Sequence, residues 1–381
     1  MEHALTSRSE AFRQYHLLRF LDGYDPQRGP LDLAFRAYTK RYAQLGSKDR
    51  AWLASRVVLH EKIRGTLDAL VGDNLEDRAE ILQGEWQREA QGLSPGLQRA
   101  CPEWLWSRLA AQYGEERTHE LATVFMEEAP LYLRANLAKT TRAQLMQRLS
   151  ALEGLEACPE QIAALRLPVR TYVTQLDAYQ EGHFEIQDLA SQLVAERVRA
   201  QPGETVLDFC AGAGGKSLAI APALAGTGQL YLHDIRPQAL LQAKARLKRA
   251  GIQNAQEVQP ESRPLRLLKH RCDWVLVDAP CSGTGTLRRN PEMKWRLHEA
   301  DVERLCLLQR EILEQASAYV KPNGRLVYAT CSILESENQH QVSWLKSQGW
   351  SCLEEWSSLP ISGGMDGLYV AVLARSERSS S

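Results

Sequence analysis

The sequence predicts an α/β protein whose C-terminal half forms a doubly wound parallel sheet, preceded by a mixed α/β subdomain and an all-α N-terminal domain. The first observation behind this is an alternation of short β-rich runs with helical stretches from about residue 186 onward. The second is that three of these runs end in turn-forming or chemically reactive residues, as strands facing a ligand crevice do. The third is that apolar residues recur at threes and fours near the start of the chain, the period of packed helices.

Taken in order, residues 1–95 read as helix after helix, with Phe12, Tyr15 and Leu18, then Leu31, Leu33 and Phe35, then Leu53, Val57 and Ile63 as the inward positions. Ser47 is the expected N-cap of the third helix, and Gly92, Ser94 and Pro95 mark an expected hinge. Residues 96–185 read as a mixed subdomain in which Pro102 opens a helix carrying Trp104, Leu105 and Leu109, and Leu131–Leu137 and Leu165–Val173 are candidate strands. In residues 186–381, Val206–Phe209, Leu230–His233, Ala255–Val258, Trp274–Val277 and Leu326–Ala329 read as buried strands, and Lys216–Leu224, Pro237–Ala250 and Val302–Val320 as helices. A Ser-rich end at 376–381 is expected to fray.

Composition narrows the function classes. Lys plus Arg number 46 and Asp plus Glu 47, for a net charge of -1, so any nucleic-acid site is a local patch on a neutral body. The eight cysteines, at 101, 158, 210, 272, 281, 306, 331 and 352, form no C-x-x-C pair and have no clustered histidines, so neither a metal site nor a disulfide framework is expected. The polar start and the lack of a run of about 18 apolar residues point to a cytoplasmic chain with no membrane span. A monomer is the default expectation.

Two features carry chemistry. In L-D-F-C-A-G-A-G-G-K-S, residues 207–217, a strand runs into Gly212, Gly214 and Gly215 before a helix, allowing close backbone approach to a nucleotide-like ligand. Asp234 ends the next strand, 22 residues after Gly212, where an acid accepts ribose hydroxyls. Its structural alternative is to cap the helix near Pro237. Gly215-Lys216-Ser217 also resembles the end of a phosphate-binding loop, a nucleoside-triphosphatase pattern that needs glycine where this chain has Cys210. The second feature is a pair of thiols. One strand runs through Asp278 and Pro280 into Cys281 and a Ser-Gly-Thr-Gly turn, and another through Thr330 into Cys331. A lone cysteine is usually a buried hydrophobe, but two just past strand ends at one crevice are poorly explained by packing.

These motifs together resemble the Nop/Sun family of RNA cytosine-5 methyltransferases, in its bacterial ribosomal-RNA branch. The resemblance spans roughly 100–381 and includes Arg134-Ala-Asn136, Phe184-Glu-Ile-Gln187-Asp188, D-A-P-C-S-G-T-G at 278–285 with the following R-R-N-P-E-M-K-W, A-T-C-S at 329–332, Glu337-Asn338 and Asp366-Gly367. It implies a Rossmann-like catalytic domain using S-adenosylmethionine, bound by Cys210, Ala211, Gly212, Ala213, Gly214, Gly215, Lys216, Asp234 and Asp278. It implies that Cys331 attacks cytosine C6, that Cys281 assists release, and that Asp278 faces the base. Carbon 5 of cytosine is too poor a nucleophile to take a methyl group unaided, and a thiolate added at C6 converts it to an enamine. Lys216, Arg288 and Lys294 are candidates for the positive charge that favours that thiolate.

The sequence departs from the pattern at Gly212 and Ala213, where the family usually has Ala and Pro. After the third strand it has Val258-Gln-Pro-Glu-Ser262, which leaves Gln259 and Glu261 both open as the adenine-facing group. Arg288, Arg289, Lys294 and Arg296, with Trp295 among them, are the expected RNA contacts, because basic groups beside an aromatic suit phosphates and unstacked bases. Residues Pro30–Val58 loosely resemble the helical RNA-binding domain of the bacterial ribosomal enzymes; their structural alternative is a helical cap. Ribosomal RNA of the small subunit is the partner this branch implies, with transfer RNA as a second possibility. The competing readings are a nucleoside triphosphatase and a catalytically silent RNA-binding or ribosome-assembly factor.

Overall fold

The computed structural model describes residues 8–168 and 171–376; all but Ser376 of the end expected to fray lies outside them. The chain forms two compact units, Met1–Glu127 with Leu287–Glu299, and Glu128–Thr286 with Ala300–Ser381. Among the described residues no helix is long and apolar enough to cross a membrane.

The first unit is helical. Arg8–Gly23, Leu31–Arg41, Ser47–Val71 and Leu75–Ile81 are followed by short turns of helix and by Glu103–Tyr113 and Glu115–Met126. Leu17, Leu53, Ile63 and Leu67 form the centre of its core and have almost no exposed surface. Ser47 is the first residue of its helix rather than the cap; Gly46 occupies that place without a side-chain bond. The stretch expected to be a hinge is a turn inside this unit. Gly96 is packed so tightly that a Cβ there would lie 2.9 Å from the Cys101 carbonyl, and helices continue to Met126, past the boundary expected at 95.

The second unit holds two sheets. The smaller is antiparallel and comprises β1 (Leu131–Ala135), β2 (Glu156–Ala157), β3 (Ala164–Leu167) and β4 (Phe184–Ile186), in the order β2-β3-β1-β4. The larger comprises β5 (Thr205–Asp208), β6 (Gln229–His233), β7 (Ala255–Val258), β8 (Cys272–Asp278), β9 (Val320–Thr330), β10 (Trp350–Ser357) and β11 (Tyr369–Arg375), in the order β10-β11-β9-β8-β5-β6-β7. Strands β5 to β9 pair in parallel, and β10 and β11 add an antiparallel edge. Their buried apolar runs, such as Val275-Leu276-Val277, are those of a sheet covered on both faces. The chain passes from β7 back across β5 and β6 to β8, so the order reverses beside β5, and a crevice opens there at the carboxyl ends.

The Arg134-Ala-Asn136 and Phe184–Asp188 motifs join these sheets. Asn136 donates to the carbonyls of Gly182 and Ala250 at 2.8 and 2.9 Å, and Asp188 caps the helix Leu189–Glu196 through the Ala190 amide.

Candidate active site

The glycine loop follows β5. Gly212 and Gly214 have φ of +52° and +76°, conformations that penalise a side chain, and the chain enters the helix Gly215–Ile220 directly after them. Asp234, buried beyond the end of β6, accepts the Gly212 amide at 2.8 Å and the Arg236 amide at 2.9 Å. Burial works to raise its pKa, but the Arg236 and Gly212 donors outweigh this and hold its carboxyl below the ordinary value. The loop therefore presents backbone beside a buried anion. The Cys210 thiol is pushed up by burial, so it contributes backbone and bulk rather than reactivity.

The four parallel strands next to the crevice bring the chemical groups together. Lys216, in the first turn of the loop helix, forms an ion pair with Asp278 at the end of β8, Nζ to Oδ2 2.5 Å. Burial alone would lower the Lys216 pKa; Asp278 reverses that and keeps it a cation. Cys281 follows β8 and Cys331 follows β9, and their sulfurs lie 3.4 Å apart. Cys331 is the thiol whose pKa falls, because Cys281 donates to its sulfur and Lys216 stands nearby, against the opposing effects of burial and Asp278. Cys281 is correspondingly raised well above the ordinary value, chiefly by that same hydrogen bond and by burial. Among the expected cations, Lys216 lowers the Cys331 pKa.

The loops behind the sulfurs are tied together. The Gly285 amide donates to the Cys331 carbonyl at 3.0 Å, and a Cβ on Gly285 would collide with the Gly367 carbonyl, which gives the Asp366-Gly367 motif its place. Glu337 and Asn338 reach the residues flanking both cysteines. Two groups carried no role in the sequence reading. Asp208 is buried under the loop with Ser217 donating to it at 2.7 Å, and Arg246 donates to the Ala213 carbonyl at 2.8 Å. Only the fold brings them to the crevice, since nothing local distinguishes them from a strand-end acid and a helix-surface arginine.

The chain carries the family features in detail. A model of the 16S rRNA methyltransferase RsmB/F family matches residues 195–356, and a model of the RsmF/B-like ferredoxin-like domain matches 101–174. A probable ribosomal RNA small subunit methyltransferase B from Synechocystis sp. is 31% identical over 343 residues, covering 84% of this chain and 74% of that protein. The ribosomal RNA small subunit methyltransferase B of Vibrio cholerae is 32% identical, covering 85% and 77%. The chain belongs to the RsmB/F family. Two solved structures from Pyrococcus horikoshii share its fold: NSun6, with a TM-score of 0.66 at 19% identity over 73% of this chain and 99% of that one, and a methyltransferase homologue, with 0.63 at 24% identity over 74% and 100%.

Membership makes this an S-adenosylmethionine-dependent methyltransferase, and the nucleoside-triphosphatase reading of Gly215-Lys216-Ser217 falls with it. A side chain at Gly214 would lie 3.1 Å from the Ala243 Cβ, so glycine there lets the loop pack against the helix Pro237–Ala250.

One group of expected RNA contacts is corrected. Lys294 is 2% exposed and donates to the Lys62 carbonyl at 2.8 Å, and Trp295 donates to the Glu61 carbonyl at 2.9 Å within the core of the helical unit. Burial pulls the Lys294 ammonium down to about 8. Arg288 is likewise buried. Lys294 and Trp295 are thus engaged inside the helical unit rather than offered to a phosphate backbone. Arg289 is exposed and Arg296 half-buried.

Proposed function

We propose that this protein methylates carbon 5 of a cytosine in small-subunit ribosomal RNA through a covalent bond between Cys331 and C6 of the base. The observation that carries this is the pair of sulfurs 3.4 Å apart beside the Lys216–Asp278 ion pair, at the mouth of the glycine loop. Cys210 to Lys216, Asp234 and Asp278 would hold S-adenosylmethionine, which would supply a methyl group electrophilic enough for an activated carbon.

The chain's own groups do the rest. The Cys331 thiolate forms a bond to C6, the C5–C6 π pair moves between C4 and C5, and the C4–N3 π pair goes to N3, which takes a proton from the Lys216–Asp278 pair at that edge. C5 is then an enamine carbon and accepts the methyl group. Release needs the proton on C5 to leave; its electron pair restores the C5–C6 double bond and expels the Cys331 thiolate, and N3 returns its proton to the Lys216–Asp278 pair. Cys281, in contact with Cys331, serves that elimination. The base must be unpaired or flipped to expose C6. Arg289 and Arg296 are the remaining candidate phosphate contacts, and the helical unit is a candidate RNA-binding domain.

The test is the Cys281→Ala variant mixed with total RNA and S-adenosylmethionine. Methyl transfer proceeds, release stalls, and a protein–RNA adduct survives denaturing electrophoresis; it disappears in the Cys281→Ala, Cys331→Ala double variant. Sequencing the trapped RNA identifies the target, and a transfer RNA there would replace the ribosomal assignment. If no adduct forms although cofactor and RNA both bind, the division of labour between the cysteines is wrong and a silent RNA-binding factor is the reading left.

A further inference from the structure

Glu337 is fully buried, yet the donors to its carboxylate are neutral. One oxygen accepts the Ser282 amide at 2.8 Å and the Gln309 side-chain amide at 3.0 Å, and the other accepts the Ser282 hydroxyl. The next residue, Asn338, accepts from the Thr330 hydroxyl at 2.6 Å and donates to the Ser332 carbonyl at 2.9 Å. Ser282 adjoins Cys281, and Thr330 and Ser332 flank Cys331. Two consecutive side chains therefore grip both cysteine loops from behind. A buried carboxylate without a cation is costly, and packing alone would be served as well by an apolar group.

The charges around the sulfurs are also unequal. Lys216 from the loop helix and Asp278 from β8 act on Cys331, whereas Glu337 acts on both Cys281 and Cys331; Tyr328 and Cys306 are further titratable neighbours of Glu337.

We propose that Glu337 is a positioning residue for the two-cysteine site: its carboxylate fastens the turn after Cys281 to the loop after Cys331 and so holds the two sulfurs in contact. Its charge lies behind both thiols and opposes ionisation of the pair, while the Lys216 cation favours it at Cys331. This inference rests on the covalent two-cysteine reading above.

The test uses the full-length Glu337→Gln variant, which keeps the size of the side chain and removes its charge. Alkylation by iodoacetamide is followed against pH for Cys281 and Cys331 separately by peptide mass spectrometry, beside turnover on RNA. Both thiol midpoints fall, that of Cys281 by about one pH unit. The kcat drops about tenfold with KM for S-adenosylmethionine unchanged, as expected for a residue that positions the cysteines and takes no part in cofactor binding. A merely structural role lowers the melting temperature without moving either midpoint, and that outcome overturns the proposal. Should Glu337→Gln not fold, Ser282→Ala removes one of the same bonds; a wild-type kcat and midpoint there also overturn it. Cys331→Ala is the control: if it still methylates RNA, the two-cysteine reading fails, whereas if it is inactive and Glu337→Gln matches wild type, only the role of Glu337 fails.

Discussion

Asp208 ends β5 at 1% exposure, with Ser217 donating to one carboxylate oxygen and no partner for the other. Burial, with Asp278 and Asp234 adding repulsion, pushes its pKa up to about 7. In the unfolded chain the group titrates near about 3.9. Below that value the carboxyl is neutral in both states. As pH rises toward 7 the unfolded chain ionises while the folded one retains its proton, so stability falls across that window and then levels off. Asp208→Asn, still able to accept from Ser217, escapes this loss. It gains stability over the wild type as pH rises from 4 to 8, by up to about 4 kcal/mol. Denaturant unfolding at pH 4, 6 and 8 checks this; a pH-independent difference would count against a buried, raised carboxyl. The two adjacent thiols were legible in the sequence because each follows an apolar strand. Asp208 was not, because its environment is assembled from three strand ends.

At the scale of the elements, the glycine loop is held by more than its own turn. Arg246, on the helix Pro237–Ala250, donates to the Ala213 carbonyl at 2.8 Å and is itself ion-paired with Glu185 of β4 at 2.9 Å. Ala213 stands where the family usually has proline, so a charged hydrogen bond restrains a loop that its own backbone leaves freer. Arg246→Leu should raise the dissociation constant for S-adenosylmethionine about tenfold, the equivalent of one charge-assisted hydrogen bond. Isothermal titration measures it, and an unchanged constant would show that the loop is ordered without this strut.

That helix was readable to both ends, since Pro237 begins it and Gly251, at φ +77°, ends it. Most parallel strands were readable within a few residues from their apolar runs, but β9 already begins at Val320, which the periodicity placed at the end of a helix that stops at Ser317. The antiparallel edge was not: β10 alternates buried with exposed positions and includes two glutamates, a weak signal until β11 covers it. The helical stretch expected over Lys216–Leu224 changes to a tighter 3-10 turn at Ala221, where Pro222 removes an amide.

The helical unit is built from two distant stretches of sequence, and no local pattern could have announced this. Leu287–Glu299 follows the turn that carries Cys281, but its side chains belong to the unit containing residues 1–127. Trp295 lies against Gly65 of the long helix so closely that a Cβ there would collide with the indole, and Leu287, Lys294 and Leu297 are buried. Lys62 ties the same helix to the carbonyl of Met126 at 2.7 Å. The basic-aromatic cluster that resembled an RNA contact in the sequence is in large part the internal packing of a domain.

A chain beginning at Glu128 would therefore not be a clean catalytic fragment. It would strip the partners from Trp295, Leu287 and Leu297 and leave the Lys294 ammonium without the Lys62 carbonyl. The expected outcome is a fragment with apolar surface exposed along 287–299, prone to association, with fast amide exchange there and weakened methyl transfer even on an RNA that needs no contact with the helices. Size-exclusion chromatography and hydrogen exchange test this. A monomeric fragment with protected amides at 287–299 would mean that the segment holds its conformation without the helices it packs into.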